Sequence, residues 1–267
     1  MKGISMTVPT LAGTIEIDAP MLAGRDDVVI LGPSLGADVH LWDLALPAIA
    51  AHHTTLRWDL PGHGISAPTA DSFTLADLAA GVVALADSLG VDRFDYAGVS
   101  VGGAVALELA RLYPERVKSA AVVCSAAKIG ETAAWNERAA LVRAEGTHVL
   151  MEGTAARWFA PAFRESHPDV VQRLLAVIAA ADDESYARVC EALGEFDARP
   201  TLASITVPVL VISGELDPAA PPTDGAVIAA AVPGARQVIV AGASHQAVVE
   251  KPEEVAAALV SFFAENH

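Results

Sequence analysis

Residues 93–117 read RFDYAGVSVGGAVALELARLYPERV: an apolar run, then glycines at 98, 102 and 103 around Ser100, then an Ala/Leu-rich stretch. Glycine at the start of a helix costs backbone entropy and adds no packing, so these positions answer to a geometric need. Gly98-Val99-Ser100-Val101-Gly102 has the form Gly-x-Ser-x-Gly. It lies after an expected strand and opens an expected helix, which is the context the motif requires. Small residues at 98 and 102 let the chain turn so sharply that the serine is held strained, its hydroxyl exposed above a sheet. Gly103 lets the new helix pack closely.

The same alternation extends outward. Short apolar runs bounded by Gly, Pro or Asp occur at 27–31, 54–60, 93–98, 117–125, 207–214 and 236–242, and helical periods at 41–51, 74–89, 101–113, 223–231 and 252–264. Near-continuous apolar strands alternating with helices predict an α/β fold with a mainly parallel, doubly wound sheet. The start, MTVPTLAGTIEID, alternates more like an antiparallel hairpin with its turn at Gly13. One region breaks the pattern: a helical stretch without a strand that holds Trp135 and Trp158, two of the four tryptophans. This divides the chain into a core of residues 1–125 and 205–267 and a helical cap of residues 126–204, set over the C-terminal strand ends where open α/β sheets bind ligands.

Composition narrows the function. The 267 residues carry 17 basic and 33 acidic side chains, a net charge of -16 that repels nucleic acid and anionic membrane surfaces. Two cysteines, Cys124 and Cys190, have neither CxxC spacing nor an adjacent histidine, so no disulfide framework or zinc site is expected. Neither the N-terminus nor any later stretch has the apolar run of a signal peptide or a membrane span, so a soluble, cytoplasmic protein is expected. The sequence leaves open whether it forms a homodimer. The glycine-rich stretches lack the phosphate-loop lysine and GxGxxG spacing, so no nucleotide, and no other cofactor, is implied.

A serine hydroxyl is a weak nucleophile and needs a base and an acid to orient that base. Behind this elbow the chain order is Ser, then Asp or Glu, then His. Of the later histidines, His148 and His167 lie in the helical stretch and His267 is terminal; His245 remains, in the loop AGASHQ after the last strand. The turn after VLVISG offers Glu215 and Asp217. Asp217 is preferred because Pro218 ends any helical continuation and a short carboxylate suits a fixed turn; Glu215 is the alternative. An oxyanion hole requires the backbone N–H of Val101, the residue after the nucleophile. A second donor comes from Gly32-Pro33-Ser34-Leu35-Gly36, where Pro33 has no N–H and Leu35 is favoured over Ser34. Asp59 and His63 of DLPGHG are read as pins of a turn, His40 as a cap or substrate contact, and His52-His53 as compensation of a helix dipole.

With these residues in place the chain resembles the α/β-hydrolase superfamily, and within it the 3-oxoadipate enol-lactonases of bacterial aromatic catabolism. PSLGADVHLW is similar to that family's oxyanion loop, LRWDLPGHGISAP to its Arg-x-Asp-x-x-Gly-His-Gly segment, GVSVGG to its elbow and GELDPAAPP to its acid turn. The cap is the less generic match, with its Trp-x-x-Arg and Arg-Trp-Phe elements. The resemblance covers about residues 28–264. The sequence departs from the family at Gly32-Pro33, Val101 and Gln246-Ala247. The resemblance implies cofactor-free opening of a small carboxylated lactone, with a carboxylesterase or cofactor-free perhydrolase acting on small neutral esters as the alternative. The enol-lactone carries a carboxylate, and Trp135 and Arg138, three apart on one helix face, offer an indole wall beside a guanidinium; Arg157-Trp158 offers a second such pair. The competing reading makes Arg138 a surface residue paired with Glu137 or Glu131, and Trp135 part of the cap core.

Overall fold

The computed structural model describes residues 9–15, 22 and 24–266. Among the described residues, seven strands, β1 (Gly13–Ile15), β2 (Val28–Gly32), β3 (Thr54–Trp58), β4 (Phe94–Val99), β5 (Val117–Val123), β6 (Val209–Gly214) and β7 (Arg236–Val240), form one sheet in the order β1-β3-β2-β4-β5-β6-β7. β1 runs antiparallel to β3 and the other neighbours pair in parallel. Every residue of β2, β3, β4 and β6 is buried, as expected of strands covered by helices on both faces. β7, at the sheet edge, is largely exposed.

The helices covering the sheet begin where the sequence marks them. Thr74 caps the helix Leu75–Ser88 in a capping box with Asp77. Pro222 and Pro252 open the helices Pro222–Ala231 and Pro252–Glu265, where a missing N–H is no loss. Two expectations are corrected. The single helix expected at 41–51 is two pieces, a 3-10 turn Val39–Trp42 and a helix Leu46–Ala50. Pro47 has no N–H for the carbonyl of Asp43 and its ring would strike that carbonyl, so one helix cannot run through. Gly13 is not at a turn either: it starts β1 and pairs with Trp58, since an open edge at β3 recruits it. The outer parts of the expected hairpin, residues 6–8 and 16–18, lie outside the described residues.

Between β5 and β6 the chain runs through the helices Thr132–Glu145, Met151–Trp158, Pro161–Ser166, Pro168–Ala180 and Asp183–Glu195. They contribute Val142, Leu174, Ile178, Tyr186 and Val189 to one hydrophobic core continuous with the sheet. Among the described residues no helix is long and apolar enough to cross a membrane.

Candidate active site

Ser100 joins β4 to the helix Val101–Leu112 with φ 55° and ψ −112°, a conformation that L residues rarely adopt. Such strain, of order 1–3 kcal/mol, persists only where the surroundings over-determine it. Here they do. A Cβ on Gly98 would lie 2.2 Å from the carbonyl of Gly102, and one on Gly102 would lie 2.7 Å from the carbonyl oxygen of Pro33. The turn is therefore closed by backbone on both sides, and Gly102 N donates to Pro33 O at 3.0 Å, fixing the 32–36 loop against it.

That loop is held from below. Asp59 accepts from Val39 N at 2.8 Å and from Ile65 N at 3.0 Å, and burial raises its carboxyl above the usual range. His63 Nδ1 lies 2.9 Å from Pro61 O, and its Nε2 faces Gly36 N at 3.3 Å. A carbonyl can only accept and an amide N–H only donate, so the ring is neutral with its proton on Nδ1. Burial lowers its pKa accordingly. Gly36 N–H is thereby spent on His63. Among the described residues no protein acceptor takes the N–H of Leu35 or Val101.

Asp217, in the turn after β6, is fully buried at its side chain, and its Oδ2 lies 2.8 Å from His245 Nδ1. Its Oδ1 accepts from Ala219 N at 2.8 Å and Ala220 N at 3.0 Å, which fixes the carboxylate plane. An ionised carboxylate on Nδ1 puts that proton on Nδ1 and leaves Nε2 a free lone pair, the tautomer of a general base. Glu215 is exposed and accepts from Gly242 N at 2.8 Å, away from the histidine. Ser100 and His245 line one cavity of about 270 Å³ together with Ser34, Leu35, Trp135, Arg138, Arg157 and Trp158. Ser100 Oγ makes no protein hydrogen bond among the described residues; such bonds often close only on substrate.

The other wall is cationic. Arg138 donates from Nη2 to Tyr186 OH and stacks its guanidinium 5.7 Å from the Trp135 ring and 5.5 Å from the Tyr186 ring. Its Nε is buried without a partner. Burial, and then the Arg138 charge beside it, lower the pKa of Arg157. Glu131, the acid on this wall, lies 2.6 Å from Lys128 instead. Arg138 is thus no surface residue paired with Glu137 or Glu131, and Trp135 is half-buried, its Nε1 donating to Ile129 O at 2.5 Å. Tyr186 also stacks on His63 with centroids 5.9 Å apart, so the serine-side loop and the arginine share one support. Nothing in the sequence singles out Tyr186 for this. Of the remaining histidines, exposed His40 pairs with Asp43 at 3.0 Å and His53 packs edge-on against Phe263 at 5.6 Å. Among the described residues no cluster of three metal-ligating side chains occurs.

The sequence profile described as the alpha/beta hydrolase fold matches residues 27–252. "3-oxoadipate enol-lactonase 2" of Acinetobacter baylyi is 36% identical over 225 residues, 84% of this chain and 84% of that protein. "3-oxoadipate enol-lactonase 1" of the same organism is 32% identical over 241 residues, 90% of this chain and 89% of its own. The crystal structure of the enol-lactonase from Burkholderia xenovorans superposes with a TM-score of 0.90 at 34% identity, covering 95% of this chain and 96% of that one. An elbow serine between a parallel strand and a helix, a profile match over most of the length and relatives of this similarity together establish that the chain belongs to the α/β-hydrolase family.

Proposed function

We propose that this hydrolase opens a small carboxylated lactone, 3-oxoadipate enol-lactone being the substrate class its relatives' names point to. The observation that carries the reading is one small cavity with Ser100 and His245 at one wall and, at the other, the guanidiniums of Arg138 and Arg157, which pair with no acid among the described residues. The helical residues 126–204 act as its cap, supplying Trp135, Arg138 and Trp158 as substrate-binding groups. A cavity of about 270 Å³ is below the usual 300–1,000 Å³ of drug-sized ligands and suits a short substrate. A protein of net charge -16 repels an anion at long range, so anion binding needs local positive charge of this kind.

Ser100 Oγ attacks the lactone carbonyl while His245 Nε2 takes its proton, and Asp217 holds the imidazole and stabilises the imidazolium. The backbone N–H groups of Val101 and Leu35 receive the oxyanion; loss of one such donor elsewhere costs about a hundred- to thousandfold. Collapse breaks the ring C–O bond, and the imidazolium returns the proton to the leaving enol oxygen. The enol oxygen is a good leaving group that needs little general-acid help, and the enol then tautomerises to the ketone. Water, deprotonated by His245, then attacks the acyl carbonyl; the bond to Ser100 Oγ breaks, the imidazolium returns its proton to Oγ, and the open dicarboxylate leaves. The test is a side-by-side assay of 3-oxoadipate enol-lactone and neutral esters such as p-nitrophenyl acetate. A clear preference for the lactone is expected; a preference for neutral esters would make the protein a carboxylesterase.

A further inference from the structure

The histidine loop and the helical insertion are joined by bonds that the hydrolytic chemistry does not use. On one side of His245, Gln246 N donates to Trp158 O at 2.9 Å. On the other, Ser244 N donates to Oε2 of Glu250, whose Oε1 accepts from Ala160 N at 2.6 Å. Glu250 ends the short helix Ala247–Glu250 and is 9% exposed. A buried carboxylate is unfavourable unless its oxygens are satisfied, and here each oxygen meets one main-chain donor. Burial raises its pKa, the N–H groups of Ser244 and Ala160 oppose that, and the charged neighbours are Asp217, which adds to the rise, and Lys251, which counters it. Trp158, two residues before Ala160, lines the catalytic cavity.

We propose, on the reading that His245 is the general base, that Glu250 is a positioning residue: its carboxylate clamps the His245 loop to the 158–160 segment and so fixes base and cavity wall relative to each other. The clamp joins parts of the chain that no backbone continuity holds together. A displacement of about 1 Å in a catalytic group can cost on the order of a hundredfold in rate, so a loosened clamp is read in kcat.

Three variants test it on neutral p-nitrophenyl acetate. Glu250→Gln keeps the size, turns an N–H toward one of the two donors and removes the charge. Ala160→Pro removes the donor on the insertion side while Glu250 stays. Ala160 has φ −58° and ψ 146° and Phe159 φ −127° and ψ 138°, which suit a proline and its predecessor. Both variants should lower kcat by on the order of tenfold to a hundredfold, with KM moving far less. Glu250→Asp, with the charge kept and the reach shortened, should restore only part of kcat. A wild-type kcat in folded Glu250→Gln, whatever its melting temperature, overturns the proposal. If Glu250→Gln does not fold, Ala160→Pro decides, and a wild-type kcat there overturns it. Ser100→Ala is assayed alongside: persistent turnover would remove the serine chemistry and this role together, whereas an inactive Ser100→Ala beside a fully active Glu250→Gln removes this role alone.

Discussion

Replacing Arg138 by Met should separate charged from neutral substrates. The side chain keeps most of its apolar length, so the contact with Trp135 is not left as a hole, and only the guanidinium is lost. Two contributions could follow. A carboxylate about 4 Å from one guanidinium gains about 4 kcal/mol at an effective dielectric constant near 20. Desolvation of both groups cancels much of that, and a hydrogen bond to a charged group is worth about 1.5–3 kcal/mol net. Arg157 remains on the same wall, so the lower half of that range is the better expectation, roughly ten- to fortyfold. Because the charge is met equally in the ground and transition states, the loss belongs in KM rather than kcat. The lost stacking on Trp135 and Tyr186 costs about 0.5–1 kcal/mol in stability, which acts on both substrates alike through the folded fraction. Initial rates with 3-oxoadipate enol-lactone and p-nitrophenyl acetate, on the same folded preparation, give the ratio directly. An equal loss on both substrates, or none on the lactone, refutes the anion-binding role.

Four other outcomes are expected. Ser100→Ala should lower hydrolysis by on the order of a millionfold and abolish labelling by a fluorophosphonate. Asp217→Asn should lose about 10⁴ in kcat through the wrong imidazole tautomer, while Glu215→Gln, whose carboxylate serves Gly242, stays within about twofold; the reverse result moves the acid. Gly98→Ala places a Cβ 2.2 Å from the Gly102 carbonyl, so a loss of about 3 kcal/mol, or roughly 6–12 °C in Tm, is expected by calorimetry. His63 is buried neutral with a pKa lowered by desolvation from 6.5, so below 6.5 the unfolded chain binds the extra proton and stability falls as pH drops toward the folded value. His63→Gln should flatten that part of the Tm profile between pH 7 and 5, and an identical slope would count against the assignment.

The sequence is most informative where one local rule decides a feature. The elbow is legible because only glycine can stand at 98 and 102 when backbone fills the space of a Cβ. The strands β2, β4 and β6 are legible because largely apolar runs buried on both faces leave no alternation to misread. The helical period of 41–51 misleads, because the chain breaks at Pro47 for the local reason that proline supplies. Gly13 fails differently. Its neighbourhood alternates like a hairpin, but the partner that wins is β3, forty-odd residues away, and no pattern within thirteen residues encodes that.

The same distinction explains what the sequence conveys about the site and what it withholds. Ser100, Asp217 and His245 each follow a strand of the parallel part of one sheet, so the common strand direction brings them to one end of it. The opposite wall has no such organiser. Arg138 reaches the cavity because Tyr186, on a helix that packs across it, holds the guanidinium, and Tyr186 is itself stacked on the histidine that fixes the serine-side loop. Glu250 joins residues 84 positions apart in the chain, Ala160 and Ser244, through main-chain donors that every residue but proline possesses. A main-chain donor leaves no mark on residue identity, so a tie of this kind is invisible in sequence. Hydrolases of one sheet can therefore share a readable nucleophile and base while differing in the clamps and supports that set their substrate, and those differences are found only by following hydrogen bonds from insertion to core.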